Sequence, residues 1–281
     1  MDRVLDTIKK RCSVRTYSLQ KLESSKLKEL RDFLAGNTKG PFENAVRFKL
    51  IDVSENAANE LKKHVSYGNI KGASLFIAGT VKKGVKCMED FGYCMEKNIL
   101  MATSIGLGTV WLAGSLNRSN IASEINALAD EVLPAISPLG YAADKRSIMD
   151  KVVRTVSGGN NRKEFGELFY LSGLSTPLDK SVCGNYSEVL EAVRLAPSAS
   201  NKQPWRIIKE REMNVYHFYL DENKAYNNVI KDIQIQNNDM GIAMCHFELA
   251  ALELGLEGSW HTEKPGLEAS ELVYITSWIG D

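Results

Sequence analysis

Two short segments hold the polar side chains best suited to ligand chemistry. In Lys10-Arg11-Cys12-Ser13-Val14-Arg15-Thr16-Tyr17, the residues Arg11, Ser13 and Arg15 recur at every second position, so an extended backbone puts them on one face. Two guanidinium forks and a hydroxyl on one side match the geometry of a phosphate group. The same run also suits a solvated basic stretch. In Ala196-Pro197-Ser198-Ala199-Ser200-Asn201-Lys202-Gln203-Pro204-Trp205, two prolines and a tryptophan bound a row of hydroxyl and amide groups. Such a loop can hydrogen-bond a flat heterocycle, or simply turn the chain from a helix into a strand.

Other chemistries lack their residues. Gly106-Leu107-Gly108 begins like a dinucleotide fingerprint, but Trp111 stands where the third glycine belongs. Neither a Walker loop nor the G-x-S-x-G of serine hydrolases is present. Cys12, Cys87, Cys94, Cys183 and Cys245 form no C-x-x-C pair, and His64, His217, His246 and His261 show no H-x-x-x-H spacing. The expectation is reduced, structural thiols and no metal.

The elements that position these segments include a repeated one. Asp90, Gly92, Met95, Leu100, Ala102, Gly106, Leu107 and Trp111 are matched by Asp239, Gly241, Met244, Leu249, Ala251, Gly255, Leu256 and Trp260, each 149 residues later and without a gap. Within each copy the apolar residues keep helical spacing, Met95, Ile99, Ala102 and Ile105 in the first and Met244, Phe247, Ala251 and Leu254 in the second. Each copy therefore reads as a core helix ended by glycine, Gly106 or Gly255, in the left-handed cap conformation, with extended chain after it at Thr109-Val110-Trp111-Leu112 in the first copy. Residues 4–10, 24–34 and 186–195 read as further helices, the second capped by Ser24 or Ser25. Residues 47–53, 73–79, 215–219 and 272–276 read as strands, and 172–185 as a connector.

A chain of 281 residues with 44% hydrophobic and 25% charged side chains can bury a sizeable core. Lys+Arg 35 against Asp+Glu 35 leaves no global field to attract nucleic acid or an anionic membrane. The uncharged run 99–116 is broken by Gly106, Gly108 and Gly114 and by hydroxyl side chains, which favours a buried helix and strand over a membrane span. The first residues are too often charged for a signal peptide, so a cytoplasmic protein is expected.

Taken together, Arg11-Cys12-Ser13-Val14-Arg15, the Pro197-Ser198-x-x-Asn201-x-Gln203-Pro204-Trp205 loop and the repeated Asp-x-Gly…Gly-Leu…Trp helix resemble the FMN-dependent nitroreductase family. The resemblance covers nearly the whole chain and is to the fused subgroup, in which one polypeptide supplies both halves of the usual dimer. It implies an α+β, nitroreductase-like fold of two similar halves, each with a central mixed or antiparallel sheet and flanking helices, related by a pseudo-two-fold. The halves would be 1–178, with a crossing extension at about 162–171, and a shortened 179–281 carrying the ring-contacting loop 196–205.

The resemblance also implies a site. Arg11, Cys12, Ser13 and Arg15 would grip the ribityl phosphate of FMN, while Pro197, Ser198, Ala199, Asn201 and Gln203 would contact the isoalloxazine and ribityl chain. Leu112, Ala113 and Gly114 would run past the flavin, with a backbone N–H of Ala113 or Gly114 donating to N5. Arg162 would reach the phosphate, with Gly158 and Gly159 offering backbone N–H groups, or else face solvent. Trp205, Tyr17 and Phe42 are aromatic candidates for the substrate side of the ring, or for the core. The stretch 164–171 would add a strand to the sheet of the other half, with Phe165 and Phe169 on one face and Leu168 and Tyr170 on the other.

The first half carries Ala35-Gly36-Asn37-Thr38-Lys39-Gly40-Pro41-Phe42 where the ring-contacting loop belongs, and the second carries Ser181-Val182-Cys183-Gly184-Asn185 where the clamp belongs. One complete site follows, hence one FMN per chain and a monomer. The implied activity passes electrons from NAD(P)H to a small organic acceptor, such as a nitroaromatic or quinone, by ping-pong hydride transfer through flavin N5. The alternatives are a flavoprotein that stores or senses FMN without turnover, and a flavin-free relic in which Arg11 and Arg15 are salt-bridged.

Overall fold

A computed structural model describes residues 3–53, 70–114, 116–144, 161–266 and 271–281. The glycine pair Gly158-Gly159, expected beside the phosphate, lies outside the described residues. Helix α1 (Val4–Lys10) has Asp6 in its first turn and Lys9 and Lys10 in its last, which complements the helix dipole. At Arg11 the backbone turns extended, and the chain runs on as a strap along the first sheet, with Ser13 bridging Thr109 and Tyr17 bridging Ala142. Helix α2 (Ser24–Gly36) begins after Glu23, and no side chain caps it. The expected serine cap is corrected, because Ser24 already sits inside the helix.

Strands β1 (Val46–Asp52), β2 (Leu75–Lys82), β3 (Gly108–Thr109), β4 (Glu131–Val132) and β5 (Ile136–Gly140) form an antiparallel sheet in the order β1-β2-β5-β3, with β4 also on β2. Helix α3 (Cys87–Ser104) lies against β2, and helix α4 (Arg118–Glu124) follows β3. The second sheet runs β6-β7-β8-β10-β9, from β6 (Phe169–Leu171), β7 (Trp205–Lys209), β8 (Val215–Leu220), β9 (Gly258–His261) and β10 (Val273–Gly280). Helix α5 (Phe165–Leu168) leads into β6, α6 (Tyr186–Arg194) precedes the Pro197 loop, and α7 (Lys224–Asn227) precedes the long α8 (Ile235–Glu253).

The two glycine-ended helices, α3 and α8, are the centre of the molecule. A Cβ added at Gly92 would collide with the Asn238 carbonyl oxygen, and one added at Gly241 with the Glu89 carbonyl oxygen, so each helix presses its glycine onto the backbone of the other. Met95, Ala102, Met244, Phe247 and Ala251 are fully buried around this crossing, in one hydrophobic cluster that includes residues of both sheets. Gly106 and Gly255 end the helices at φ 84° and 69°, the left-handed caps that the spacing predicts.

β6 pairs in parallel with β7, so residues 169–171 form a strand at the edge of the second sheet. The strand is shorter than 164–171, however. Glu164 and Glu167 form a capping box that winds Phe165–Leu168 into a helical turn. Phe165 and Phe169 still meet, with ring centroids 4.6 Å apart, because residues four apart share a helix face.

Candidate functional site

The strap after α1 and the loop after α6 come from distant parts of the sequence and meet at one cleft. Its polar end has a volume of about 300 Å³ and is lined by Arg11, Cys12, Ser13, Arg15, Arg162, Pro197, Ser198 and Asn201, among others. Its less polar end, about 410 Å³, shares Ser13, Arg15, Pro197, Ser198 and Asn201 with the first and continues to Val110, Trp111, Leu112, Ala113, Gly114, Ala199, Tyr226, Val229, Ile235, Asn238, Asp239 and Ile242. A cationic pocket thus opens into a flat-walled apolar one, both within the size range of small-molecule sites.

The guanidinium groups of Arg11, Arg15 and Arg162 gather at the polar end. Arg162 donates to Asn201 Oδ1 (2.9 Å) and to the Leu195 carbonyl (3.1 Å), both neutral acceptors. Burial first, and then the neighbouring Arg11 and Arg194 guanidinium groups, push its pKa down to about 10. A guanidinium held in that way gains from an anion. Arg11 is almost fully buried, its Nε 3.9 Å from Glu96 Oε1, where Glu96 also accepts from Trp111 Nε1 (2.7 Å) and faces His246 Nε2 (2.9 Å). One buried carboxylate therefore ties the clamp, an aromatic wall of the cleft and α8 together.

The Pro197 loop is pinned from several sides. Asp239 Oδ1 accepts the Ala199 N–H (2.9 Å), Ser198 Oγ accepts the Gln203 N–H (2.8 Å), and Tyr226 Oη donates to Ser200 Oγ (2.9 Å). These bonds hold Ser200, Asn201 and Gln203 at φ 47°, 54° and 47°, left-handed conformations on either side of a right-handed Lys202 that cost non-glycine residues free energy and recur at ligand-binding turns. Asn201 Nδ2 donates to the Asn161 carbonyl (2.8 Å), and Gln203 Oε1 accepts the Lys163 N–H (3.0 Å), so the loop is stitched to the chain around Arg162. On the opposite wall Arg118 donates to the carbonyls of Ala113, Gly114 (3.2 Å) and Pro134 (3.2 Å), which fixes the 112–114 backbone at the cleft.

Twelve of the thirteen expected cofactor-binding residues line the cleft: Arg11, Cys12, Ser13, Arg15, Leu112, Ala113, Gly114, Arg162, Pro197, Ser198, Ala199 and Asn201. Gln203 is the exception. It is 3% exposed and spends its side chain on Lys163 and Asn201, so it shapes the loop from behind. Of the two places open to the aromatic candidates, the structure favours the core. Trp205 and Tyr17 are core residues, the latter donating its hydroxyl to the Val14 carbonyl (2.6 Å), and Phe42 belongs to a turn of the first half. Trp111 and Tyr226 line the cleft in their place. Tyr226, Asn238 and Arg118 escaped the sequence reading, since an isolated tyrosine, asparagine or arginine carries no spacing. Asp239 did carry a signal, as one member of the repeated Asp-x-Gly pair.

Asp90, the counterpart of Asp239, accepts the N–H groups of Phe42 (2.9 Å) and Asn44 (2.8 Å), so each aspartate holds the turn after the preceding helix of its half. Ile235 lines the cleft, but its counterpart 149 residues earlier is Lys86, whose Nζ lies 4.9 Å from the Phe42 ring centroid and donates to the Ile275 carbonyl.

The sequence matches a family model described as "Putative TM nitroreductase" over residues 3–251. Among solved structures, one described as a "putative nitroreductase" from Thermotoga maritima is 19% identical and superposes with a TM-score of 0.61, covering 99% of this chain and 94% of that one. A nitroreductase family protein from Clostridium novyi NT is 19% identical over 53% of this chain and 90% of its own, with a TM-score of 0.43. An FMN-dependent nitroreductase from Clostridium difficile R20291 is 21% identical over 50% and 88%, with a TM-score of 0.39. No curated protein matches. With the family model matched over most of its length and its whole fold shared with the Thermotoga protein, this chain belongs to the nitroreductase family.

Proposed function

We propose that the protein is an FMN-dependent oxidoreductase that passes electrons from NADH or NADPH to a small organic acceptor, such as a nitroaromatic or a quinone. The observation that supports this reading is the cleft in which a half-buried cationic end, with Arg11, Arg15 and Arg162, opens into an apolar end walled by Trp111, Leu112 and Ile242. A phosphate and a fused aromatic ring joined by a polyol need that pairing. The fit is chemical as well as steric, because the depressed pKa of Arg162 records positive charge held out of water, which a phosphate dianion would relieve.

When bound, FMN supplies two-electron transfer at its N5 position in alternating half-reactions with donor and acceptor. The chain does the rest. Arg11, Ser13, Arg15 and Arg162 hold the phosphate, with Cys12 beside them. Pro197, Ser198, Ala199 and Asn201 set the ring against the 112–114 segment. Ala113 or Gly114 offers the backbone N–H for N5, in a segment that Arg118 holds by its carbonyls. No side-chain acid or metal is assigned.

One site per chain is part of the reading. The two helices with matched residues 149 apart descend from an internal duplication, and the halves, 1–178 and 179–281, form a pseudo-dimer within one monomer. In support, Lys86 and Phe42 fill the position at Asp90 that corresponds to the cleft. Such a protein works in the cytoplasm, where NAD(P)H is available.

The visible spectrum of the purified protein tests this directly. A flavin spectrum is expected, with one FMN released per polypeptide and anaerobic bleaching by NADH or NADPH. Colourless protein that takes up no added FMN would sink the reading. Bound FMN that neither nucleotide reduces would sink the enzymatic part of it.

A further inference from the structure

Two ionisable groups at the helix crossing, Glu96 on α3 and His246 on α8, are fully buried and have no part in the proposed reaction. Their partners fix where the hydrogens lie. His246 Nδ1 is 2.9 Å from the Ala192 carbonyl, which can only accept, so Nδ1 carries a hydrogen and donates it. One further hydrogen lies between His246 Nε2 and Glu96 Oε1 (2.9 Å), and Glu96 Oε2 accepts from Trp111 Nε1 (2.7 Å). The remaining neighbour is Arg11. Its side chain is 7% exposed, and its Nε, 3.9 Å from Glu96 Oε1, has no hydrogen-bond partner among the described residues.

Neither the tryptophan nor the helix crossing requires an acid at this position. Trp260, the match of Trp111 149 residues later, gives its indole N–H to the half-buried Glu248 (2.6 Å), and the match of Glu96 is Cys245. The buried carboxylate stands at this place only in the half that carries the arginine clamp. A guanidinium held out of water without a counter-charge is costly, and a long arginine side chain avoids the cost by swinging its head into solvent. We propose that Glu96 is a positioning residue for the phosphate clamp, whose charge keeps Arg11 folded inward at the polar end of the cleft so that an arriving phosphate meets a guanidinium already in place. Glu96 touches no ligand and acts through Arg11. The inference rests on the clamp in the flavin reading, yet it can be tested without flavin.

The sign of the effect separates two roles. A buried carboxylate that merely neutralises Arg11 weakens phosphate binding, and its removal strengthens it; a carboxylate that positions Arg11 does the opposite. Glu96→Gln isolates the charge. Its amide oxygen still accepts from Trp111 and its amide N–H donates to Nε2 of a neutral His246, so only Arg11 loses its partner. Fluorescence titration gives the affinities for FMN and for riboflavin, and their ratio is the readout, because a general loosening of the fold lowers both.

Glu96→Gln is expected to lower the FMN-to-riboflavin ratio about tenfold, and Arg11→Met at least as far. The double variant should fall no lower than Arg11→Met, since the two residues act in series. Glu96→Asp keeps the charge but draws it back by one methylene, and it should lower the ratio several-fold should Glu96→Gln fail to fold. In FMN-free protein the probe is inorganic phosphate, read as the rise in melting temperature beyond that of Arg11→Met, which subtracts the general salt effect. Wild type should show that excess and Glu96→Gln should lose it. An unchanged or raised ratio in the Glu96 variants would overturn the proposal, as would additive losses in the double variant or an equal phosphate effect in wild type and Glu96→Gln. Failure of FMN to bind the wild type would overturn the flavin reading alone, because the phosphate melts still report on Glu96 and Arg11.

Discussion

Arg162→Met separates the contribution of one guanidinium to binding from its contribution to folding. Burial beside Arg11 and Arg194 lowers its pKa from 12.5 to about 10, which corresponds to at most about 3 kcal/mol against the charged form. The group is partly exposed, and screening reduces that to about 1 kcal/mol. For a base with a depressed folded pKa the penalty is present at every pH below the folded value and is relieved only as pH rises toward the unfolded one. Arginine therefore carries it throughout the usable range. Methionine removes the penalty, but it also removes hydrogen bonds to Asn201 and Leu195 with a net worth of about 0.5–1.5 kcal/mol each. These contributions nearly cancel, so the FMN-free variant should melt within about 5 °C of the wild type. FMN, by contrast, loses a charge-assisted contact of about 1.5–3 kcal/mol, a fall in affinity of about 10- to 150-fold. Riboflavin, which lacks the phosphate, is the control. Fluorescence titration should show the fall for FMN and unchanged binding for riboflavin. Equal losses for both would show that Arg162 acts on the loop rather than on phosphate, and a collapse of the FMN-free melting temperature would refute the charge argument.

Asn201→Ala deletes the acceptor for Arg162 and the donor to Asn161, and it puts alanine at φ 54°, so it should cost about 1–3 kcal/mol of stability and loosen flavin binding more than it lowers melting. Paired urea and FMN titrations measure both effects. Glu96→Gln removes the charge facing Arg11 and His246 in the core and is expected to destabilise by about 3–5 kcal/mol, read as a lower urea midpoint with unchanged slope. Gly241→Ala drives a methyl into the Glu89 backbone at the α3–α8 crossing, so soluble yield should collapse, whereas Gly36→Ala, where a Cβ meets open space, should express normally. Normal folding of Gly241→Ala would contradict the close helix crossing.

Local spacing is what the sequence determined. The register of 149 residues located α3 and α8 and their glycine caps, and the period of two in Arg11, Ser13 and Arg15 placed three side chains at one cleft, because both patterns depend only on backbone geometry within a few turns. The cleft itself was legible only through the resemblance, since nothing in residues 11–15 says that residues 197–201 lie opposite. Tertiary structure alone decided the rest. Trp205 and Tyr17 went into the core and Gln203 behind its loop, while Trp111, Tyr226 and Asp239 came to the cavity wall. A side chain is placed by what packs against it from hundreds of residues away, and the crossing of two helices at Gly92 and Gly241 sets that packing for both halves at once.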